Sequence, residues 1–220
     1  MSIAELSITT PSAADRGVVL HGVPWPMYVK LRNMPENYGI RMTYDHGELE
    51  IMSPSWQHER IAELLCTLID IWTLEFRTPR QNCGMMTIQR EDLDLGFEPD
   101  KCYYVQHEAA IRNKEGPDFS IDPPPDLAIE VEKSRSAESK MLIYQSFKVP
   151  ELWRVVREEI HIFELDEHAS YRPRATSVCF PGFPVAKVNE LLKQYATGSE
   201  IELMASFRDW VRENCLPDEK

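Results

Sequence analysis

Apolar residues along this chain recur with two different periods, and the switches between them mark its elements. From Trp56 to Phe76 the spacing is helical: Ile61, Leu64, Leu65, Leu68, Ile69 and Trp72 fall at i, i+3 and i+4 intervals, with Ser53 or Ser55 placed to cap the start. Just before it, "IRMTYDHGELEIMS" alternates with period two on either side of Asp45-His46-Gly47, which predicts a β-hairpin. In its second arm Leu49 and Ile51 face one way, Glu48, Glu50 and Met52 the other. Strands are expected around 85–89, 101–105 and 127–132, and a second helix over 136–147. "KVPE" then leads into the strand "LWRVV", a tight turn and the strand "IHIFEL". "VPWPMYVKLRNM" predicts a short helix with Pro24 and Pro26 near its start. The tail from Val185 to Asn214 reads as two helices broken at Gly198. Residues 1–17 are small and polar without periodicity and read as a loose arm. The rest, 18–214, reads as one α/β domain with a mixed central sheet flanked by helices.

One predicted strand breaks the usual logic of a core. In "PPPDLAIEVEKS", Leu127, Ile129 and Val131 share one face, which puts Asp126, Ala128, Glu130 and Glu132 on the other. "GFEPDKCYYV" likewise sets Glu98 and Asp100 at the start of a strand, with Pro99 suited to a first or edge position. Were the two strands neighbours, Asp100, Glu130 and Glu132 would converge. Crowded carboxylates repel and push one another's pKa upward unless a cation intervenes. An all-oxygen set with no cysteine or histidine pair selects a hard ion, Mg²⁺ or Mn²⁺. The plainer reading has the same acids lining a solvated face, paired with lysines or arginines.

The helices supply further candidates. Lys140 lies at i−3, i−4 and i−7 from Ile143, Tyr144 and Phe147, at the inward end of an apolar stripe, where it could neutralise charge developing on a phosphate or hold a water; a snorkelling surface lysine is the alternative. Lys133 has the opposite strand parity from Glu130 and Glu132 and is expected to point away. His58 shares the stripe of the long helix with Ile61 and Leu65, and Glu59 sits on its flank. A buried histidine there is ordinarily a satisfied core residue, yet this one leads the helix toward the acidic strands.

Composition narrows the classes. The 220 residues carry 24 Lys and Arg against 36 Asp and Glu, a net charge of −12, so nothing global attracts nucleic acid or an anionic membrane. Contact with nucleic acid would need a local patch. The five cysteines are scattered with no C-x-x-C pair, which argues against a zinc site or a disulfide framework and fits a reducing cytoplasm. No apolar run approaches the length of a membrane span, and the first residues lack the pattern of an export signal.

Taken in order, "GIRMTYDHGELEIMSPSWQHERIAELL", "GFEPDKCYYVQHEAAI", "PPPDLAIEVEKS" and "SKMLIYQSFKVPELWRV" resemble the Uma-type putative restriction endonuclease family, within the PD-(D/E)XK nuclease superfamily. The resemblance spans about Gly22 to Leu192. It implies a restriction-endonuclease-like core, magnesium-type metal binding, hydrolysis of phosphodiester bonds in DNA, and pairing as a homodimer. It places the metal-binding aspartate on Asp100 and the acid of the next core strand on Glu130. The superfamily pattern has a lysine two residues after that acid, where this chain has Glu132, and the resemblance moves the lysine role to Lys140 in the following helix. The His-Glu pair of the first long helix falls on His58 and Glu59. A metal-dependent endonuclease is therefore expected, with a catalytically silent nuclease-fold interaction or regulatory protein as the alternative, and hydrolysis of a small phosphate ester as a third possibility.

Overall fold

The computed structural model describes residues 7–9, 16–132, 138–195 and 198–216. In chain order it runs through strands β1 (Ser7–Thr9) and β2 (Arg16–His21), helix α1 (Trp25–Arg32), the hairpin of β3 (Arg41–Asp45) and β4 (Glu48–Ser53), and the long helix α2 (Trp56–Glu75). Four short strands follow: β5 (Gln81–Gly84), β6 (Ile88–Arg90), β7 (Leu95–Phe97) and β8 (Lys101–Tyr104). After the single turn α3 (Glu108–Ile111) come β9 (Leu127–Glu132), helix α4 (Glu138–Ser146), β10 (Glu151–Val156), β11 (Glu159–Leu165) and β12 (Tyr171–Arg174). Helices α5 (Val185–Gln194) and α6 (Glu200–Asn214) close the described chain.

The strands form two six-stranded sheets rather than one. The first has the order β1-β2-β4-β3-β7-β6 and is antiparallel throughout; the second, β12-β11-β10-β9-β8-β5, is mixed, because β9 and β10 run parallel with α4 as their crossover. That β-α-β step needs a helix to return the chain to the same end of the sheet. The stretch read as a loose arm contributes strand: β1 pairs with β2, Ser7 opposite His21, and β2 pairs with β4. The other residues of that stretch lie outside the described ones, as does Lys133.

Strand parity accounts for the layers. Leu127, Ile129 and Val131 of β9, with Trp153 and Val155 of β10, pack against α2, α5 and α6 in the largest apolar cluster. The opposite face of the same strands, Ala128 and Leu152, meets Ile143 and Tyr144 of α4, Phe147 just after it, and Ile88, Leu95 and Phe97 of the first sheet. A third cluster seats α1 on the first sheet through Val23, Tyr28, Met42, Tyr44 and Leu49. Tyr28 and Tyr44 stack with centroids 4.7 Å apart. Gly96 is required there by space, because a Cβ at that position would overlap the Tyr28 ring.

Local signals match the elements they predict. The Ser55 hydroxyl accepts from the His58 amide at 3.3 Å and caps α2. The β3–β4 turn places His46 and Gly47 at φ 47° and 91°, positive at both central positions as a tight hairpin requires. The β10–β11 turn does the same with Arg157 and Glu158, at φ 52° and 60°, neither of them glycine. All five cysteines are free. No helix among the described residues is long and apolar enough to cross a membrane.

Candidate active site

The acids that parity places on one face of β9 converge with β8 where α2, α4 and the first sheet meet. Lys101 pairs with Ile129, so one further step of the antiparallel register sets Asp100 across from Glu130. Both are buried. An Asp100 carboxylate oxygen accepts from the Val131 amide at 2.7 Å, which fixes it against the strand that carries Glu130.

An imidazole and a guanidinium flank this carboxylate. His58 Nε2, from the first turn of α2, lies 2.9 Å from Asp100 Oδ2, and Arg41, the first residue of β3, places its guanidinium 3.2 Å from Oδ1. The same Arg41 nitrogen reaches Glu59 at 2.9 Å, and its other terminal nitrogen donates to the Pro99 carbonyl. Burial alone would raise the Asp100 pKa, but His58, Arg41 and the Val131 amide outweigh it and hold the carboxyl below its ordinary value. Two buried polar atoms here, Arg41 Nε and His58 Nε2, lack a well-aligned hydrogen-bond partner among the described residues.

Glu130 is poised in the opposite sense. The Tyr144 hydroxyl donates to one oxygen, and Lys140 Nζ lies 3.6 Å from the other. Burial pushes its pKa up, and Asp100 adds to that, against the opposing pull of Lys140. Lys140 is held in its charged form: Glu130 chiefly, then Glu50, Asp100 and Glu132, raise its pKa well above the ordinary lysine value despite desolvation. Two facing carboxyls with proton affinities driven apart, beside a permanent cation, are a common arrangement of hydrolytic sites.

Of the residues singled out from sequence, Asp100, Glu130, Lys140 and His58 come together, and Glu59 joins them through Arg41. Glu132 lies two residues beyond Glu130, but both of its oxygens are taken by Arg154 of β10, at 2.7 Å each. Glu98, expected to share a face with Asp100, instead binds Arg32 of α1, the Met42 amide and the Thr87 hydroxyl, and ties the first sheet together. Sequence reasoning missed Arg41, Arg154 and the hydroxyl role of Tyr144. Only Arg154 left a usable signal, since it breaks the apolar alternation of β10 on the face that the register sets beside Glu130.

A cavity of about 280 Å³ opens beside the cluster. Gln57, His58 and Ile61 of α2 line it, with Glu132 and the Arg157–Glu158 corner of the β10–β11 hairpin. It lies outside the C-terminal ends of the parallel strands β9 and β10, the usual position of a ligand site in a sheet of this kind.

The family model Uma2, described as "Putative restriction endonuclease", matches residues 25–195. Among solved structures, a protein from Anabaena variabilis ATCC 29413, titled a putative nuclease belonging to DUF820, superposes with a TM-score of 0.51 at 14% identity, over 83% of this chain and 97% of that one. At that identity the likeness speaks for the fold, which is restriction-endonuclease-like. No curated protein matches this chain.

Proposed function

The chain belongs to the Uma2 family, described as "Putative restriction endonuclease", and from that premise we propose that it hydrolyses phosphodiester bonds in DNA with the help of Mg²⁺ or Mn²⁺, as a homodimer in a reducing cytoplasm. The observation that carries the reading is the facing pair of Asp100 and Glu130 with the Lys140 ammonium 3.6 Å from Glu130. The five free cysteines favour the compartment. Light scattering of the purified chain tests the pairing, with a monomer mass as the contrary result.

The donor set suits the ion. Among the described residues no three His, Cys, Asp or Glu side chains are grouped to hold a metal among themselves. Mg²⁺ is commonly bound through one or two carboxylates and keeps water and substrate phosphate as its remaining ligands. Asp100 and Glu130 would hold it, since a cation there would offset the burial, and after it the Asp100 charge, that raise the proton affinity of Glu130. Glu132, its oxygens held by Arg154, contributes through the negative charge it keeps, which helps hold Lys140 protonated. The chemistry a bound ion supplies is polarisation of a phosphoryl oxygen and acidification of water.

The chain's own residues do the rest. Lys140 stays protonated and so acts as a cation rather than a base, neutralising charge that develops on the phosphate oxygens or orienting the attacking water. Tyr144 fixes the rotamer of Glu130. Arg41 and His58 fix Asp100, while Glu59 holds Arg41 in place from the other side.

Incubation of the full chain with DNA in Mg²⁺ or Mn²⁺ is expected to give cleavage that EDTA abolishes, and titration calorimetry to show saturable Mn²⁺ binding. Lys140→Met is expected to lower the rate about 10²-fold or more, the loss typical when one donor to developing charge is removed. The absence of both cleavage and Mn²⁺ binding would establish the catalytically silent alternative instead.

A further inference from the structure

Trp56 stands at the first position of α2, immediately before the cavity residues Gln57 and His58, and is 75% exposed. Its ring is in contact with a neighbouring cation. The Arg60 guanidinium, one turn on, lies 4.4 Å from the Trp56 ring centroid and 4.2 Å from that of Tyr195 in α5, so it is clamped between two rings, and its NH2 also reaches the Tyr195 carbonyl. The indole is thus braced on one face by a cation and open to solvent over most of the rest. A base stacking on an aromatic ring needs this geometry, and the nearby guanidinium adds attraction for a phosphate.

The cavity itself suits one nucleotide unit rather than a stretch of double helix. At about 280 Å³ it is close to the lower end of small-molecule sites. Ile61, Val131 and Val155 give it an apolar floor, and Gln57, Arg157, Glu132 and Glu158 bring an amide, a cation and two carboxylates to its walls. His58 belongs to both places: its ring lines the cavity while its Nε2 faces Asp100. The cavity and the acid pair therefore share His58 and the C-terminal end of β9. In a duplex a base would first have to leave the stack to enter this cavity, at an energetic cost that a single strand does not face.

Charge points the same way. A net charge of −12 opposes the close approach of a duplex, with its dense double row of phosphates, and leaves stacking to supply a larger share of the affinity. We propose that the site takes unpaired strands, with one base stacked on Trp56 and its neighbour in the cavity walled by Gln57, His58 and Arg157. This rests on the hydrolytic reading of the site, and binding is measured separately from cutting so that the two can fail separately.

The test uses the full chain in EDTA with a fluorescein-labelled oligothymidylate and a blunt-ended duplex of the same length, read by fluorescence anisotropy. The single strand is expected to bind about tenfold or more tighter than the duplex. Trp56→Ala is expected to weaken single-strand binding by about tenfold, the loss of one base stacked on an aromatic side chain, while Trp56→Phe retains most of it. Leu74→Ala, at an equally exposed position near the other end of α2, is expected to change nothing. Equal or tighter binding of the duplex, no binding of either probe, or an unchanged affinity in Trp56→Ala overturns the proposal. Selective single-strand binding with no cleavage in Mg²⁺ or Mn²⁺ supports it and sinks the hydrolytic reading. Duplex cleavage indifferent to Trp56→Ala does the reverse.

Discussion

Asp100→Asn is expected to lower DNA cleavage by about 10³-fold or more while the chain stays folded. The amide is nearly isosteric and still offers an oxygen to the Val131 amide, so the β8–β9 junction is preserved. What disappears is the negative charge, and with it an anionic ligand for a divalent ion. Metal-ion catalysis is worth several kcal/mol of transition-state stabilisation, and each 1.36 kcal/mol is a factor of ten in rate. The stability cost stays below the ~3–5 kcal/mol typical of a broken buried ion pair, because Arg41 keeps Glu59 as a partner at 2.9 Å. Steady-state cleavage and Mn²⁺ calorimetry on the same sample, with thermal melting as the control for folding, decide the matter. A variant that cuts within tenfold of the parent, or that binds Mn²⁺ unchanged, removes Asp100 from the metal site.

The largest loss of stability without loss of chemistry is expected at Glu151. Its side chain is buried at the start of β10, and its carboxylate accepts from the Ser177 hydroxyl at 2.6 Å, the Val178 amide at 2.6 Å, the Cys179 amide at 2.9 Å and the Trp153 indole. These bonds fasten the segment after β12 across the end of the sheet. Glu151→Ala leaves two backbone amides and an indole without their acceptor, and each buried orphan costs ~1–3 kcal/mol, so a total near 4 kcal/mol is expected once non-additivity is allowed for. Urea unfolding measures it. Glu151→Gln is expected to fall between, since its carbonyl still accepts while its NH₂ confronts donors. Cleavage per folded molecule is expected to persist, because Glu151 and the acid cluster lie toward opposite ends of the β9–β10 pair. A Glu151→Ala protein as stable as the parent would show that the network contributes nothing net.

What the sequence revealed of this site, and what it hid, divides along the range of the interactions. Parity along β9 was enough to separate Leu127, Ile129 and Val131 from Glu130 and Glu132, since a strand's two faces are set by local geometry. Helical spacing likewise found α2 and set Lys140 on the inward stripe of α4, with Ile143, Tyr144 and Phe147 buried as expected. Sheet partnership has no local period, so the division into two sheets and the pairing of β1 with β2 were not legible. The counter-charges were harder to read for the same reason: Arg41 arrives from the first sheet with nothing in its spacing to announce Asp100, and Arg154, although it breaks the alternation of β10, does not by that name the carboxylate it meets. Thus the acids could be read as a cluster, but not that Arg154 would take both oxygens of Glu132.

The corner formed by Arg157 and Glu158 has a consequence for anyone seeking a sturdier version of this chain. Both residues hold a left-handed backbone that favours glycine or asparagine, and Asn-Gly is the pair such a two-residue turn prefers. A selection scored on melting temperature alone would therefore reach this corner early and replace it. The reward would be a few tenths to about 2 kcal/mol, and the loss would be the guanidinium and carboxylate that wall the cavity beside the acids. Robustness and recognition compete here over two adjacent residues, and a library scored on both traits would find them opposed at that corner.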